Sequence, residues 1–186
     1  MAKEVAAEDQ RVTEETSRPA TQNDLITLIK SLSMHGVDYV LIGGQALNIH
    51  GYMRATEDID LLLPLNYING RKVIDALSIL PDKAALEIDP EWLTEKGTVR
   101  VNDVITVDLM TVAANGETYE SLKAHILEQE LQGFSIRLLD LEGLAKTKVS
   151  VREKDRMDLQ IIHRLIEAES QKKQDTDPDI SDKLGR

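Results

Sequence analysis

Asp58 and Asp60 stand one residue apart at the head of an apolar run that continues through Leu61, Leu62 and Leu63. Upstream, the pair Gly43-Gly44 closes a second apolar run, Tyr39 to Ile42. Alternate residues of a strand share a face, so both carboxylates point to one spot while Ile59 points to the core. Carboxylates that close repel and raise one another's pKa, and a divalent cation between them removes the conflict. An all-oxygen donor set suits Mg²⁺ or Mn²⁺. Glycine lets backbone approach a ligand closely, and the unpaired N–H groups of the helix start after Gly44 favour phosphate. Together these residue types point to phosphoryl-transfer chemistry on a triphosphate. The plain alternative makes Asp58 a strand cap and Asp60 a solvated edge residue. Against it, a strand as apolar as this one belongs inside a sheet, where an unpartnered carboxylate is costly.

A third acid of the same kind is Asp108, in the middle of the apolar run Val104 to Met110 with Thr106 on its face. Val99-Arg100-Val101 and the pair Asn102-Asp103 precede it, so Gly97 to Met110 reads as a hairpin with Asp103 in the turn. Arg54 lies in the loop that delivers Asp58, where a guanidinium can grip a triphosphate oxygen bidentately. Thr56 can fix that loop by bonding backbone, and His50 reads as structural. Lys148, Arg152 and Lys154 can contact phosphate or pair with Asp155 and Asp158 on a solvated helix face, and Lys146 competes with Lys148 for the same role.

Gly43, Gly44, Asp58, Asp60 and Asp108 resemble the signature of the DNA polymerase β superfamily of nucleotidyltransferases: a strand, Gly-Gly or Gly-Ser, a helix, Asp-x-Asp and a later Asp. Within that superfamily the phrase RATEDIDLLL, Arg54 to Leu63, is similar to the AbiEii-type abortive-infection toxins and their uncharacterised relatives. So is Leu139 to Leu165, where that group carries a Lys, then Arg-x-Lys-Asp and another Asp, here Lys148, Arg152, Lys154, Asp155 and Asp158. The resemblance covers roughly residues 22 to 168, and its first motif is far more specific than its second. It implies an α/β (α+β) nucleotidyltransferase fold, with a mixed central sheet flanked by helices and a C-terminal helical segment. It also implies two Mg²⁺ or Mn²⁺ ions on Asp58, Asp60 and Asp108. The NTP donor would be held by Gly43, Gly44, Arg54, Thr56 and Lys148. A nucleoside monophosphate would pass to an acceptor hydroxyl on a tRNA end, a partner protein or a small molecule, with release of pyrophosphate. A role in a toxin–antitoxin pair belongs to the same implication. The rival is a non-catalytic nucleotide-binding or protein-interaction module on this fold, and repelling acids kept together in an apolar sheet speak against it.

The elements that must position these residues follow from periodicity. Asn23 caps a helix to His35, Tyr39 to Ile42 is a strand, Gln45 to His50 a helix, and the Asp58 strand ends at Pro64. A helix follows over Tyr67 to Leu80, then a short strand over Ala85 to Asp89 and a helical turn over Pro90 to Glu95. Gly116-Glu117 precedes a short helix, and Ala124 to Leu131 with Phe134 to Leu139 form a second hairpin around Gln132-Gly133. Asp140 caps a helix to about Val149, and the last helix runs from Glu153 to about Glu167. Met157, Ile161 and Leu165, flanked by Ile162 and Ile166, form its apolar face.

A chain of 186 residues with 41% hydrophobic and 3% aromatic side chains can bury one core of Leu, Ile, Val and Met. Residues 1–20 and 169–186 are charged and aperiodic, so they read as disordered tails around a single domain at 21–168. A formal net charge of −11 excludes a protein that coats nucleic acid, though a tRNA end remains accessible as a substrate. Without cysteine, a leader or an eighteen-residue apolar run, the expectation is a cytoplasmic protein with no membrane partner. Nothing in the pattern specifies an oligomeric state.

Overall fold

The computed structural model describes residues 17–148 and 153–175. Eleven principal elements follow in chain order: α1 (Gln22–Met34), β1 (Val40–Ile42), α2 (Gly43–Ile49), β2 (Asp58–Leu62), α3 (Tyr67–Leu77), β3 (Thr98–Asn102), β4 (Thr106–Met110), β5 (Ile126–Leu131), β6 (Phe134–Leu139), α4 (Leu141–Thr147) and α5 (Glu153–Asp175). The strands form one mixed sheet in the order β3-β4-β2-β1-β6-β5. β1 runs antiparallel to β2 and parallel to β6, β2 runs parallel to β4, and β3/β4 and β5/β6 are the two hairpins. No helix among the described residues is long and apolar enough to cross a membrane.

Local chemistry sets the boundaries. Thr21 and Asp24 form a reciprocal capping box that starts α1. Asn66 and Asp140 accept from backbone N–H groups of the first turns of α3 and α4. β1 is buried at every position, as a central strand covered on both faces must be. Helices α1 and α3 are joined by the hydroxyl of Ser31, which donates to Ala76 O at 2.7 Å. Asn69 on α3 satisfies both backbone groups of Asp38 at 2.8 Å, fixing the turn that delivers β1.

Three expectations from the sequence are corrected. Ala84–Glu87 is a 3₁₀ turn instead of a strand. The buried Asp103 carboxylate accepts from the N–H groups of Asp82, Ala84 and Val104, which holds the segment in a tight turn. Residues 17–20 are not a free tail: Arg18 N–H donates to Val104 O and Ala20 N–H to Glu57 O, both at 3.0 Å, along the start of β2 and β4. The last helix continues to Asp175, beyond Glu167, and Met157 is 60% exposed. Ile162 is buried and Leu165 and Ile166 pack against the core as expected, and the same side of α5 also buries Asp155 and Asp158. The assigned tails 1–16 and 176–186, Val149 and Arg152 lie outside the described residues, as does the side chain of Lys154.

Candidate active site

Parallel pairing of β2 with β4 sets Asp58 beside Thr106 and Asp60 beside Asp108. Along β2 the acids alternate with the fully buried Ile59 and Leu61, so Asp58, Asp60 and Asp108 occupy one face. The antiparallel register of β3 puts Arg100 opposite Asp108. Its guanidinium donates from Nε to Asp108 Oδ1 at 2.9 Å and from Nη2 to Asp108 Oδ2 at 2.8 Å. Nη2 also reaches Asp58 Oδ2 at 3.1 Å. The hydrogen bonds to Asp108, with the charges of Asp108, Asp58 and Asp60, raise the Arg100 pKa further above its ordinary value. Sequence reading did not single out Arg100. The signal was there, because a hairpin turning at Asp103 places Arg100 and Asp108 as cross-strand partners.

Each glycine of the pair makes room for a particular side chain. Gly43 has φ +68°, and a Cβ there would lie 2.0 Å from Asp60 Oδ2. A Cβ on Gly44 would lie 2.6 Å from Thr56 Oγ1 and 3.2 Å from Arg54 Nε. The Gly43-Gly44 turn therefore packs against the Asp60 carboxylate on one side and against Thr56 and Arg54 on the other. Thr56 Oγ1 in turn donates to Asp58 O at 3.4 Å.

Behind the turn lies a second charged cluster. Arg54 Nη1 donates to Asp158 Oδ1, Lys148 Nζ sits 2.9 Å from Asp158 Oδ2, and Lys148 Nζ donates to Asp155 Oδ1 at 3.2 Å. Asp158 is 2% exposed. Asp155 and Asp158 are thus buried, not on a solvated face, because α5 packs them inward onto two cations that neutralise them. Arg54 Nε is buried and makes no hydrogen bond among the described residues. Lys148, Gly43, Asp60 and Asp155 together line a hollow of about 110 Å³. Lys146 turns elsewhere: its Nζ is 2.9 Å from His125 Nε2, whose Nδ1 meets the Asp140 carboxylate at 3.1 Å. His50 bonds Leu139 O at 2.8 Å, a structural contact.

Among the described residues no three acidic or histidine side chains are arranged to enclose an ion, and the Arg100 fork spans Asp58 and Asp108. The donor set nevertheless fits a hard divalent cation. It is all carboxylate oxygen, the Asp60 carboxylate fills the space that Gly43 leaves open, and Arg100 is 56% exposed, so its displacement disturbs no core.

A mixed sheet flanked by helices, with a glycine turn abutting in-register acids on adjacent strands, is the architecture of a nucleotidyltransferase-type transferase. The chain belongs to a family described as nucleotidyltransferase of unknown function (DUF6036), whose profile matches residues 22–171. The fold is similar to that of the lincosamide antibiotic adenylyltransferase LnuA in its lincomycin-bound crystal structure. That match has a TM-score of 0.55 at 15% identity, over 79% of this chain and 99% of LnuA. A proposed nucleotidyltransferase from Thermotoga maritima matches with a TM-score of 0.49 and 16% identity, over 83% of this chain and 94% of its own. An antigenic nucleotidyltransferase-like protein from Paracoccidioides brasiliensis matches with 0.48 and 16%, over 81% and 78%. No curated protein matches the chain.

Proposed function

We propose that the chain transfers a nucleoside monophosphate from an NTP to an acceptor hydroxyl in a metal-dependent reaction. The observation that supports this reading most is the pairing of Asp60 with Asp108 across parallel strands, with Asp58 on the same face and Gly43 opened to admit Asp60. Asp58, Asp60 and Asp108 would hold one or two Mg²⁺ or Mn²⁺ ions. When bound, such ions neutralise triphosphate charge and lower the pKa of a coordinated hydroxyl. Arg54 and Lys148 flank the glycine turn and would orient the β and γ phosphates once phosphate oxygens compete with Asp158 for them. The acceptor oxygen attacks the α phosphorus as the bond to the bridging oxygen breaks, and pyrophosphate leaves. Asp108 takes the hydroxyl proton. Positioning and charge neutralisation carry the rate.

The acceptor enters, in this reading, from the Arg100 side, where Asp58, Arg100, Asn102 and Thr106 line an open hollow of about 270 Å³. Calorimetric titration of the four NTPs with and without Mg²⁺, on the native chain and on Asp58→Asn/Asp60→Asn, tests the proposal. Metal-dependent binding of an NTP that the variant loses is the expected result. Absence of binding to either protein, or equal binding to both, overturns the transferase reading in favour of an interaction module. The likeness of Arg54 to Leu63 to the AbiEii-type proteins supports a toxin role, which growth arrest on expression of the native chain, relieved in the same variant, would test.

A further inference from the structure

On its way to α1 the chain passes the acid face of the sheet. Ser17, Arg18 and Pro19 form one wall of the hollow of about 270 Å³ whose lining also includes Asp58 and Arg100. Backbone seats this segment, through Arg18 N–H on Val104 O and Ala20 N–H on Glu57 O, both at 3.0 Å. A side chain anchors it further: Arg18 donates from Nη1 to Asp24 Oδ2 at 2.6 Å and from Nη2 to Asp24 Oδ1 at 2.9 Å. Pro19 also restricts Arg18 to extended backbone, which narrows the positions open to Ser17.

Ser17 is exposed, and its hydroxyl is held 2.7 Å from Thr106 Oγ1. Thr106 stands beside Asp58 in the parallel register and shares a strand face with Asp108, so the Ser17 oxygen lies at the edge of the acid cluster. A hydroxyl carries one proton. Thr106 directs its own to Asn102 Oδ1 at 3.3 Å, so Thr106 Oγ1 accepts from Ser17. The lone pairs of Ser17 Oγ are then met by no donor among the described residues and remain open to an electrophile. Thr106 itself is buried, with its oxygen taken on both sides, which leaves Ser17 as the hydroxyl that this hollow presents.

We infer that the chain is its own acceptor, and that Ser17 Oγ receives the nucleoside monophosphate within the same molecule. The inference rests on the transferase reading above and names the acceptor as a polypeptide hydroxyl presented in cis. Ser17 Oγ attacks the α phosphorus, and the new Oγ–P bond forms as the bond to the bridging oxygen breaks. The electron pair of that broken bond leaves with pyrophosphate, and the Ser17 proton passes to Asp108. The product is a phosphodiester that joins Ser17 to the nucleoside. Tethering spares the entropy cost of bringing a separate acceptor to the site. Once the hydroxyl is consumed, the reaction stops at one nucleotide per chain.

The test is intact-mass spectrometry of the full chain, as purified and after incubation with Mg²⁺ and ATP, GTP, CTP or UTP in turn. It is run on the native protein, Ser17→Ala, Ser17→Thr and Asp58→Asn/Asp60→Asn. Circular dichroism establishes that each variant folds, and calorimetry reads NTP binding separately. Expected is the added mass of one nucleoside monophosphate on the native chain, mapped to Ser17 by peptide fragmentation, at a rate per chain that dilution does not change. The increment should vanish in Ser17→Ala and in the acid variant and persist in Ser17→Thr, which keeps a hydroxyl. An increment that survives in Ser17→Ala, a rate that falls on dilution, or metal-dependent NTP binding with no increment overturns the inference and leaves the transferase reading standing. A native chain that neither binds an NTP nor gains the increment removes both.

Discussion

Two charged clusters flank the Gly43-Gly44 turn, and they are built in opposite ways. On the strand side, Asp58, Asp60 and Asp108 share one face and Arg100 reaches across two of them from the half-exposed edge strand. On the helix side, Arg54, Lys148, Asp155 and Asp158 pair two cations with two acids, largely out of water. A matched set of charges can be buried, because each ion finds its counter-ion and hydrogen bonds. On the strand side three acids share one half-exposed guanidinium, and Asp58 and Arg100 keep that cluster in contact with solvent. The first arrangement suits chemistry and the second suits placement. Substitutions in the two clusters should separate activity from stability.

The largest effect is expected from Asp108→Asn. If Asp108 acts as proposed, losing its charge and its basic oxygen should lower pyrophosphate release from the preferred NTP by on the order of 10³-fold. The thermal midpoint should hardly move, since the amide still fits between β2 and β3. Release within tenfold of the native rate would remove Asp108 from the chemistry. Asp158→Ala tests the other side. It strands the mostly buried Arg54 and leaves Lys148 with Asp155 alone, and a cost of about 3–5 kcal/mol is expected. That corresponds to a fall in midpoint of roughly 10 °C or more for a chain of this size. By contrast Arg100→Ala breaks ion pairs of a 56% exposed side chain and should cost less than about 1 kcal/mol. It should also tighten Mg²⁺ binding, which titration calorimetry reads directly. If Arg100→Ala proves as destabilising as Asp158→Ala, the contrast between the clusters is wrong.

The same contrast explains what was legible in the sequence. Asp58, Asp60 and Asp108 sit on strands, where a period of two fixes the face and parallel register fixes the neighbour, so their convergence could be read from local pattern. Gly43 and Gly44 were legible as a turn, but not the particular contacts with Asp60 and with Thr56 and Arg54, which depend on how β1 and β2 pair. The Arg54–Asp158 pair joins residues more than a hundred positions apart. Only the docking of α5 brings them together, and the helical spacing of Asp155 and Asp158 is equally compatible with a solvated face. Met157 was misread for the same reason: periodicity gives two possible faces once charged residues are paired well enough to be buried. The turn at Ala84–Glu87 was misread because its shape is imposed from outside, by the Asp103 carboxylate.

A substitution at the turn between the clusters sharpens the comparison. Gly43→Ala places a side chain at φ +68°, which costs about 1–2 kcal/mol, and drives a methyl into the Asp60 carboxylate. Gly44→Ala lacks the backbone strain and presses instead on Thr56 and Arg54. Metal binding should therefore fall further in Gly43→Ala, and affinity for tripolyphosphate further in Gly44→Ala. Parallel losses of both ligands in both variants would mean that the two glycines do not serve separate clusters.

The smallest effect concerns a third ion pair, remote from both clusters. Arg18 donates to both oxygens of Asp24, which Thr21 also caps, and these bonds hold the Asp24 carboxyl well below the usual carboxylate range. A group whose pKa is lower folded than unfolded adds stability above its unfolded value, about 3.9, and loses it as pH falls below that toward the folded value. Because the pair is at the surface, the contribution should stay under about 1 kcal/mol and shrink with added salt. Asp24→Asn should accordingly lower the urea midpoint slightly at pH 7 and flatten its decline below pH 4. Asp158→Asn should show its larger loss across the neutral range even in high salt, because a dry pair is screened far less than a wet one. Equal salt sensitivity in the two variants would place Asp158 in water and undo the distinction between the buried cluster and the surface.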